Sequence, residues 1–518
     1  MSNLKKSVSL ITLSTGLATI LSLVSSLVVA AKFGAGISMD AYIAAITLPS
    51  FLVTIITLSL SSTFLPVFTD YRVQKPGEAW RLAWGMFNVL VPGAFLICVV
   101  GILFASPLMN LLCPGFSASD VEHAARLLRI LLPMAFLNVI NELVASLYYA
   151  HKRFALPILF KSVGPLLTIA MVLAFADRLS ITSMALAGLF AAALQVIFSL
   201  GGISRLPGFR YYPPSLVFHP GTIRILRLTL PLLASMLVYK ALPFFDRWVG
   251  SSLPIGSLSV LGYAAKLTSL IQPLLISGIA LSFYPLMAEF ASRNDYKGLQ
   301  NSMGRSMRMI LFVSTPVALF LGLFSRPVVE ALLARGQFSL EAATQTYKVF
   351  AVCLLAIPGM LVGSITGQGF YVLKDTKTVT WLGLTEVALY IPLCLALVPW
   401  MGIYAIPASQ AVYFTLSLIA SLWLLSRRMG LNLFSELSSF AGRQILSMGG
   451  GLAVSLPLLV WLPVSLYSAL MEMAIGLVVY FLSARFVFKV REAGVFTAHT
   501  HNMLFRREAY RPPLDLPL

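Results

Sequence analysis

The chain has 518 residues, 58% of them hydrophobic and only 11% charged, with a mean hydropathy of +0.88. A soluble domain carries about 25% charged residues, so a soluble enzyme, a disordered chain and a disulfide scaffold are excluded together. Lys and Arg outnumber Asp and Glu by 37 to 19, a net charge of +18. On a chain this apolar, the excess reads as the basic loops of a polytopic membrane protein rather than a nucleic-acid surface.

At about 20 apolar residues per spanning helix, the runs between charges and turn residues predict fourteen helices. They cover 7–31, 41–69, 82–106, 127–150, 156–176, 179–203, 229–251, 257–288, 309–325, 349–373, 378–398, 402–426, 444–463 and 466–488. Lys5 and Lys6 precede the first run, which is too long for the apolar region of a cleaved signal and lacks an A-x-A site. It therefore reads as a retained span. An even count places both termini on one side. With that side cytoplasmic, the cytoplasmic segments, with Arg485 at the end of the last span, hold 26 of the 37 Lys and Arg, as the positive-inside bias requires.

Every loop is short, which leaves no room for a soluble catalytic domain. Segment 204–228, with Pro207-Gly208 and Pro213-Pro214, divides an N-terminal bundle (1–203, helices one to six) from a C-terminal bundle (229–426, helices seven to twelve). Residues 427–488 add two helices and 489–518 form a cytoplasmic tail. The halves echo one another: Tyr42-Ile43-Ala44-Ala45 precedes Phe64-Leu65-Pro66, and Tyr263-Ala264-Ala265 precedes Phe283-Tyr284-Pro285. Parallel repeats of this kind suit a transporter of two bundles around a central cavity. The expected fold is thus an all-α polytopic membrane protein of about fourteen transmembrane helices, with cytoplasmic N- and C-termini.

Cys98, Cys113, Cys353 and Cys394 stand apart in or beside apolar runs and read as small buried residues. His499 and His501 in the tail are too few for a metal site, and no cofactor is expected. Ionisable residues inside a span cost about 2.5–3.5 kcal/mol on insertion scales, so each asks for a partner or a watery cavity. Glu142, Lys161, Lys240, Lys266, Glu386 and Glu472 qualify. Lys161 is near enough to a span end to snorkel, and Glu472 reads as interfacial. Lys240 and Lys266 lie deep, and Asp246-Arg247 follows Lys240 by about two turns. Ammonium and guanidinium groups in a dehydrated cavity attract phosphate far more strongly than in bulk water. Glu142 and Glu386 are candidates for ion pairs with the lysines or for proton coupling.

Several stretches, in order, resemble the lipid II flippase family (MurJ, also called MviN) of the multidrug/oligosaccharidyl-lipid/polysaccharide exporter superfamily. They are Phe33-Gly34-Ala35-Gly36…Asp40-Ala41-Tyr42…Leu48-Pro49, Phe64-Leu65-Pro66-Val67, Cys113-Pro114-Gly115-Phe116, Lys152-Arg153-Phe154-Ala155-Leu156-Pro157, Tyr263-Ala264-Ala265-Lys266-Leu267 and Arg335-Gly336-Gln337-Phe338. The resemblance implies cavity arginines on the first two helices, where this chain has Thr19, Ser25 and Val53, and one on the eighth, where it has Lys266. Of the family's pattern, Asp40 and Lys266 carry over. Phe244-Phe245-Asp246-Arg247-Trp248-Val249-Gly250 resembles instead the Asp-Arg pattern of O-antigen and exopolysaccharide flippases.

The expected function is translocation of an undecaprenyl-diphosphate-linked saccharide across the cytoplasmic membrane by alternating access, with no chemical catalysis. The head group is expected at Lys266, Lys240, Arg247, Asp246 and Asp40, and the partners are the lipid-linked saccharide and membrane lipids, not nucleic acid. Lipid II and a polysaccharide repeat unit both remain open as substrate. A cation-coupled drug exporter would want acids and aromatics where the buried lysines stand. A membrane glycosyltransferase would want clustered outer carboxylates, but Asp40, Asp120, Glu122, Asp177, Asp246, Glu330 and Glu341 are scattered. A noncatalytic scaffold of envelope assembly would gain nothing from intramembrane lysines.

Overall fold

The computed structural model describes residues 2–213, 219–429, 433–461, 465–490 and 492–494. Residues 214–218 of the expected linker and most of the expected tail, with His499 and His501, lie outside them. The described residues form helices and no strands, and the described part of each of the fourteen apolar runs falls mainly on helix.

The first helices are α1 (Ser2–Phe33), α2 (Ile37–Ser59), α3 (Leu65–Gln74), α4 (Pro76–Leu103), α5 (Ala105–Leu112) and α6 (Ala118–Ala150). A π-helical turn, Leu60–Phe64, joins α2 to α3. Pro66 enters the next turn without an N–H to donate, and the widened turn absorbs that loss. Pro76 opens α4 at a position where the missing donor costs nothing. Ser117 caps α6 by accepting from the Asp120 N–H at 3.3 Å. Then come α7 (Ala155–Lys161), α8 (Val163–Leu179), α9 (Thr182–Ile203), α10 (Pro220–Lys240), α11 (Leu242–Ser251) and α12 (Ser257–Ser292). The run at 156–176 is therefore interrupted at Ser162, and that at 229–251 is interrupted at Ala241, just before Pro243. The chain continues through α13 (Tyr296–Leu323), α14 (Ser325–Leu333), α15 (Leu340–Val372), α16 (Thr376–Met401), α17 (Ala405–Met429), α18 (Leu433–Trp461) and α19 (Leu466–Leu482).

Ten stretches of the described residues are long and apolar enough to cross a membrane. One of them, Lys377–Arg428, runs from α16 into α17 through the 3₁₀ turn Gly402–Tyr404.

Two compact units emerge. The first comprises Met1–Ala264, Leu332–Thr346 and Gly383–Ile406; the second comprises Ala265–Ala331, Tyr347–Leu382 and Pro407–Leu518. In the first, α6 is the central strut, packed by α2, α4 and α9. An aromatic core of Phe64, Phe68, Trp80 and Tyr148 fills the space among α3, α4 and α6. In the second, α18 and α19 pair and dock on α13 around Phe312, Phe320, Phe440 and Tyr480. Tyr480 donates to the Phe312 carbonyl at 2.9 Å, and Gln444 donates to that of Leu311 at 2.6 Å. These bonds satisfy polar groups that lipid cannot.

Candidate functional site

The first unit gathers four of the family-like stretches at one place. Gly34 ends α1 with φ +61°, and Gly336 in the turn after α14 has φ +58°. A Cβ on Gly34 would overlap the Gln337 carbonyl, and one on Gly336 would overlap that of Ala31, so the two turns approach as only glycines allow. The Gln337 N–H donates to the Ala31 carbonyl at 2.8 Å. Tyr263 donates its hydroxyl to the Gly34 carbonyl at 3.1 Å and meets Phe338 edge-on at 5.2 Å. On the neighbouring turn, the Gly115 N–H donates to Ser251 Oγ at 3.3 Å.

Asp40 closes this cluster. It is 3% exposed. Its Oδ2 accepts the Gly256 N–H at 2.6 Å and its Oδ1 accepts the Ser259 N–H at 2.6 Å, while the Ser259 hydroxyl also donates to Oδ1. Those N–H groups lie at the start of α12, where a helix has donors without partners and a positive dipole end. Asp40 thus caps a helix more than 200 residues away, and both of its oxygens are engaged.

Two turns further along α2, Thr47 accepts from Arg247 Nε at 3.3 Å. Arg247 lies within electrostatic reach of Asp246, Asp40 and Cys113. Tyr390, fully buried on α16, donates to Asp246 Oδ1 at 2.6 Å. Glu386 lies one turn before Tyr390 on the same helix face. The neighbours of this polar row are apolar. Leu48, Phe244, Phe245 and Trp248 join residues of α5 around a groove of about 390 Å³.

Lys240 is the last residue of α10, partly exposed at the junction with α11. Lys266 lies in the second unit, two and a half turns into α12 and partly exposed. Glu142 and Lys161 form a pair of their own, Oε1 to Nζ 2.7 Å. Glu472 is buried within α19. Among the described residues, no group of three or more His, Cys, Asp or Glu is placed to hold a metal. Reading by residue type passed over Thr47, Ser259 and Tyr390, hydroxyl residues that complete the acid–base contacts. Their signal in the sequence is only their nearness to recognised stretches.

This arrangement of helices recurs among transporters. The fold matches a solved structure titled as lipid II flippase MurJ in an inward closed conformation, with a TM-score of 0.78 and 20% identity, over 96% of this chain and 100% of that one. It also matches an inward-facing multidrug resistance MATE transporter of the MOP superfamily, with a TM-score of 0.64 and 17% identity, over 80% and 94% of the two chains. The protein is a multi-pass membrane protein with the fold of the MOP-superfamily transporters. A family described as lipid II flippase MurJ matches residues 29–476, and the chain belongs to that family. A relative named probable lipid II flippase MurJ, from Vibrio cholerae serotype O1, is 28% identical over 439 residues, 80% of this chain and 82% of the relative. The lipid II flippase MurJ of Burkholderia cenocepacia is 25% identical over 378 residues, 70% of this chain and 72% of its own.

Proposed function

We propose that the protein moves lipid II, an undecaprenyl-diphosphate-linked saccharide bearing a peptide, from the inner to the outer leaflet of the cytoplasmic membrane. The observation that carries this reading is the family match across 29–476. The names of the matched relatives favour lipid II over a peptide-free polysaccharide precursor. No bond of the lipid is broken. The protein lowers the cost of carrying a charged head group through the bilayer.

The N-terminus and C-terminus face the cytoplasm in this reading, and the division at 204–228 separates two repeated bundles that rock against each other. Lys266 and Lys240 supply the positive charge that the diphosphate requires, with Arg247 as a further donor held by Thr47. Asp40 and Asp246 act on the chain itself: Asp40 fixes the start of α12, on which Lys266 rides, and Asp246 orients α11 against Tyr390. Glycine pairing at Gly34 and Gly336 seals the outer side while the head group loads from within. The membrane potential drives the reset, since moving one charge through 100 mV is worth about 2.3 kcal/mol.

The test is transbilayer movement in proteoliposomes, with lipid II beside an undecaprenyl-diphosphate disaccharide lacking the peptide. Lipid II is expected to move with the wild type, and its rate is expected to fall about tenfold or more in Lys266→Ala and Lys240→Ala, the loss of one charged contact. Lys266→Arg keeps the charge and is expected to retain movement. Movement of the peptide-free lipid alone would overturn lipid II as substrate, and movement of neither would overturn the flippase reading.

A further inference from the structure

A cavity of about 410 Å³ opens among the ends of α1 and α8 and the turn after α14, all within the first unit. Its volume lies in the range of sites that hold small ligands, about 300–1,000 Å³. Val28, Ala31 and Leu173 give it apolar walls, and the Gly336–Gln337 turn gives it a wall of backbone. That wall is fixed, because Gly336 lies against the Ala31 carbonyl and the Gln337 N–H donates to the same oxygen at 2.8 Å. Lys32 and Asp177 also line the cavity, Nζ to Oδ1 3.4 Å. The groove beside Trp248 is of similar size, about 390 Å³, but no charged residue lines it.

The Lys32–Asp177 pair is one that a ligand can open. At 3.4 Å it is longer than a close charge-assisted bond of about 2.7–2.9 Å, and exposed pairs of this kind contribute little to stability. A molecule bringing a carboxylate and an ammonium can therefore part the two and pair with both. Exposure sets the polarity: the Lys32 side chain is 36% exposed and that of Asp177 86%. The carboxylate goes to Lys32, where less water competes, and the ammonium goes to Asp177 at the rim. Arg178 and Arg335, each exposed and next in sequence to a lining residue, bring the local balance to three cations against one acid. That balance favours a ligand with more carboxylates than ammonium groups. Gln337, exposed on the turn, adds an amide that can donate and accept.

We propose that this cavity receives the stem peptide of lipid II, with a peptide carboxylate on Lys32 and the ammonium of its diamino acid on Asp177. The peptide matches the cavity in kind: several carboxylates, one free ammonium, and small alanine side chains for the walls of Val28, Ala31 and Leu173. Its five residues reach about 17 Å when extended, so it can lodge here while the diphosphate is held elsewhere. A saccharide lipid without the peptide offers the cavity neither charge. In the topology of the flippase reading, this end of α1 faces the outer side, where the peptide arrives as the head group crosses. The inference rests on that reading and adds to it the site that tells the peptide-bearing lipid from a peptide-free one.

Binding of the free stem pentapeptide to the full-length protein in nanodiscs tests it, with meso-diaminopimelate at the third position and the N-terminus acetylated to mimic its amide link to the sugar. Saturable binding to the wild type is expected. Lys32→Ala is expected to weaken it about tenfold, the loss of one charged contact, and Lys32→Arg to restore it. Asp177→Asn is expected to weaken it about threefold, because its carboxylate is the more exposed. A probe acetylated on its diaminopimelate ammonium is expected to bind the wild type and Asp177→Asn alike. Thermal unfolding of each variant is expected to match the wild type, so that weaker binding reports the site and not the fold. No saturable binding to the wild type, or unchanged affinity in Lys32→Ala, overturns the peptide site. In proteoliposomes, Lys32→Ala is expected to slow lipid II more than the peptide-free disaccharide lipid; equal slowing of both overturns the site as well. Movement of the peptide-free lipid alone overturns both the site and lipid II as substrate. Movement of neither by the wild type, with Lys32-dependent peptide binding intact, overturns the flippase reading and leaves the peptide site standing.

Discussion

Asp40 and Asp375 perform one chemical task in two settings. Each accepts hydrogen bonds at the start of a helix. Asp375 caps its own helix: its Oδ1 accepts the Thr378 N–H at 3.1 Å, its Oδ2 accepts the Thr378 hydroxyl at 2.6 Å, and Arg428 at the end of α17 pairs with the same oxygen. Asp40 caps α12 from α2, across 216 residues to Gly256. The local cap joins residues three apart, with Arg428 added at an exposed edge, whereas the remote one buries both oxygens between α2 and the start of α12 and so fixes a tertiary approach. Loss of the first frays a helix end. Loss of the second leaves two backbone donors, at Gly256 and Ser259, with no acceptor in a place closed to water.

That difference predicts the largest effect. Asp40→Ala is expected to destabilise the protein by about 3–5 kcal/mol, since each stranded buried donor costs about 1–3 kcal/mol. Asp40→Asn keeps one acceptor oxygen but turns an amide toward a donor, and it is expected to recover less than half of the loss. Thermal unfolding in detergent measures both. A shift in Asp40→Ala no larger than that of an ordinary helix cap would show that α12 is held by its packing, and the contrast between the two aspartates would collapse.

The same contrast governs what could be read in the chain. Asp375 and Thr378 stand three residues apart, a local cap pattern, and the apolar runs marked helix along most of their described length, because both signals are local. The interruptions at Ser162 and Ala241 escaped the hydropathy pattern, since the residues on either side remain apolar and a kink changes hydrogen bonding rather than composition. The Asp40–Ser259 tie escaped it as well. Nothing near Asp40 announces a partner on a distant helix, and a lone buried acid reads equally well as a ligand for substrate. The stretches from Phe33 to Gly36 and from Arg335 to Phe338 stood out through a family resemblance. That they touch is a property of the folded chain, visible only in the Gln337–Ala31 bond and the two left-handed glycines.

Acid sharpens the comparison further. The hydrogen bonds from Thr378, with Arg428 nearby, hold the Asp375 carboxyl below its ordinary value. A carboxyl depressed in the folded state binds protons less readily there than in the unfolded chain. Its contribution is therefore complete above the unfolded value of about 3.9 and disappears as the pH falls through the lower folded value. Arg428 is half exposed, so screening limits the gain to about 1 kcal/mol. Wild type and Asp375→Asn are expected to differ by a constant amount from about pH 7 to 5, with the gap closing below about pH 4. A gap that stayed open in acid would mean that the cap works through its neutral form, with Arg428 contributing nothing.

Exposure carries the argument to its limit at Lys32 and Asp177. Their 3.4 Å pair joins the ends of α1 and α8, at the mouth of a cavity of about 410 Å³ that Gly336 and Gln337 also line. The geometry resembles the other ties in joining two helices, and Lys32 stands in the last turn of α1, where a cation is favoured. Yet the Asp177 side chain is 86% exposed. Water solvates its carboxylate as well as the lysine does, and ordering two mobile side chains offsets most of the remaining attraction. Lys32→Ala is accordingly expected to change stability by no more than about 0.5 kcal/mol, with no added sensitivity to salt, as read by thermal unfolding at low and high ionic strength. A shift above about 1 kcal/mol that vanished in high salt would show this corner to be shielded from bulk water. The Gly34–Gly336 cluster would then draw on electrostatics as well as on the close approach of its glycine turns.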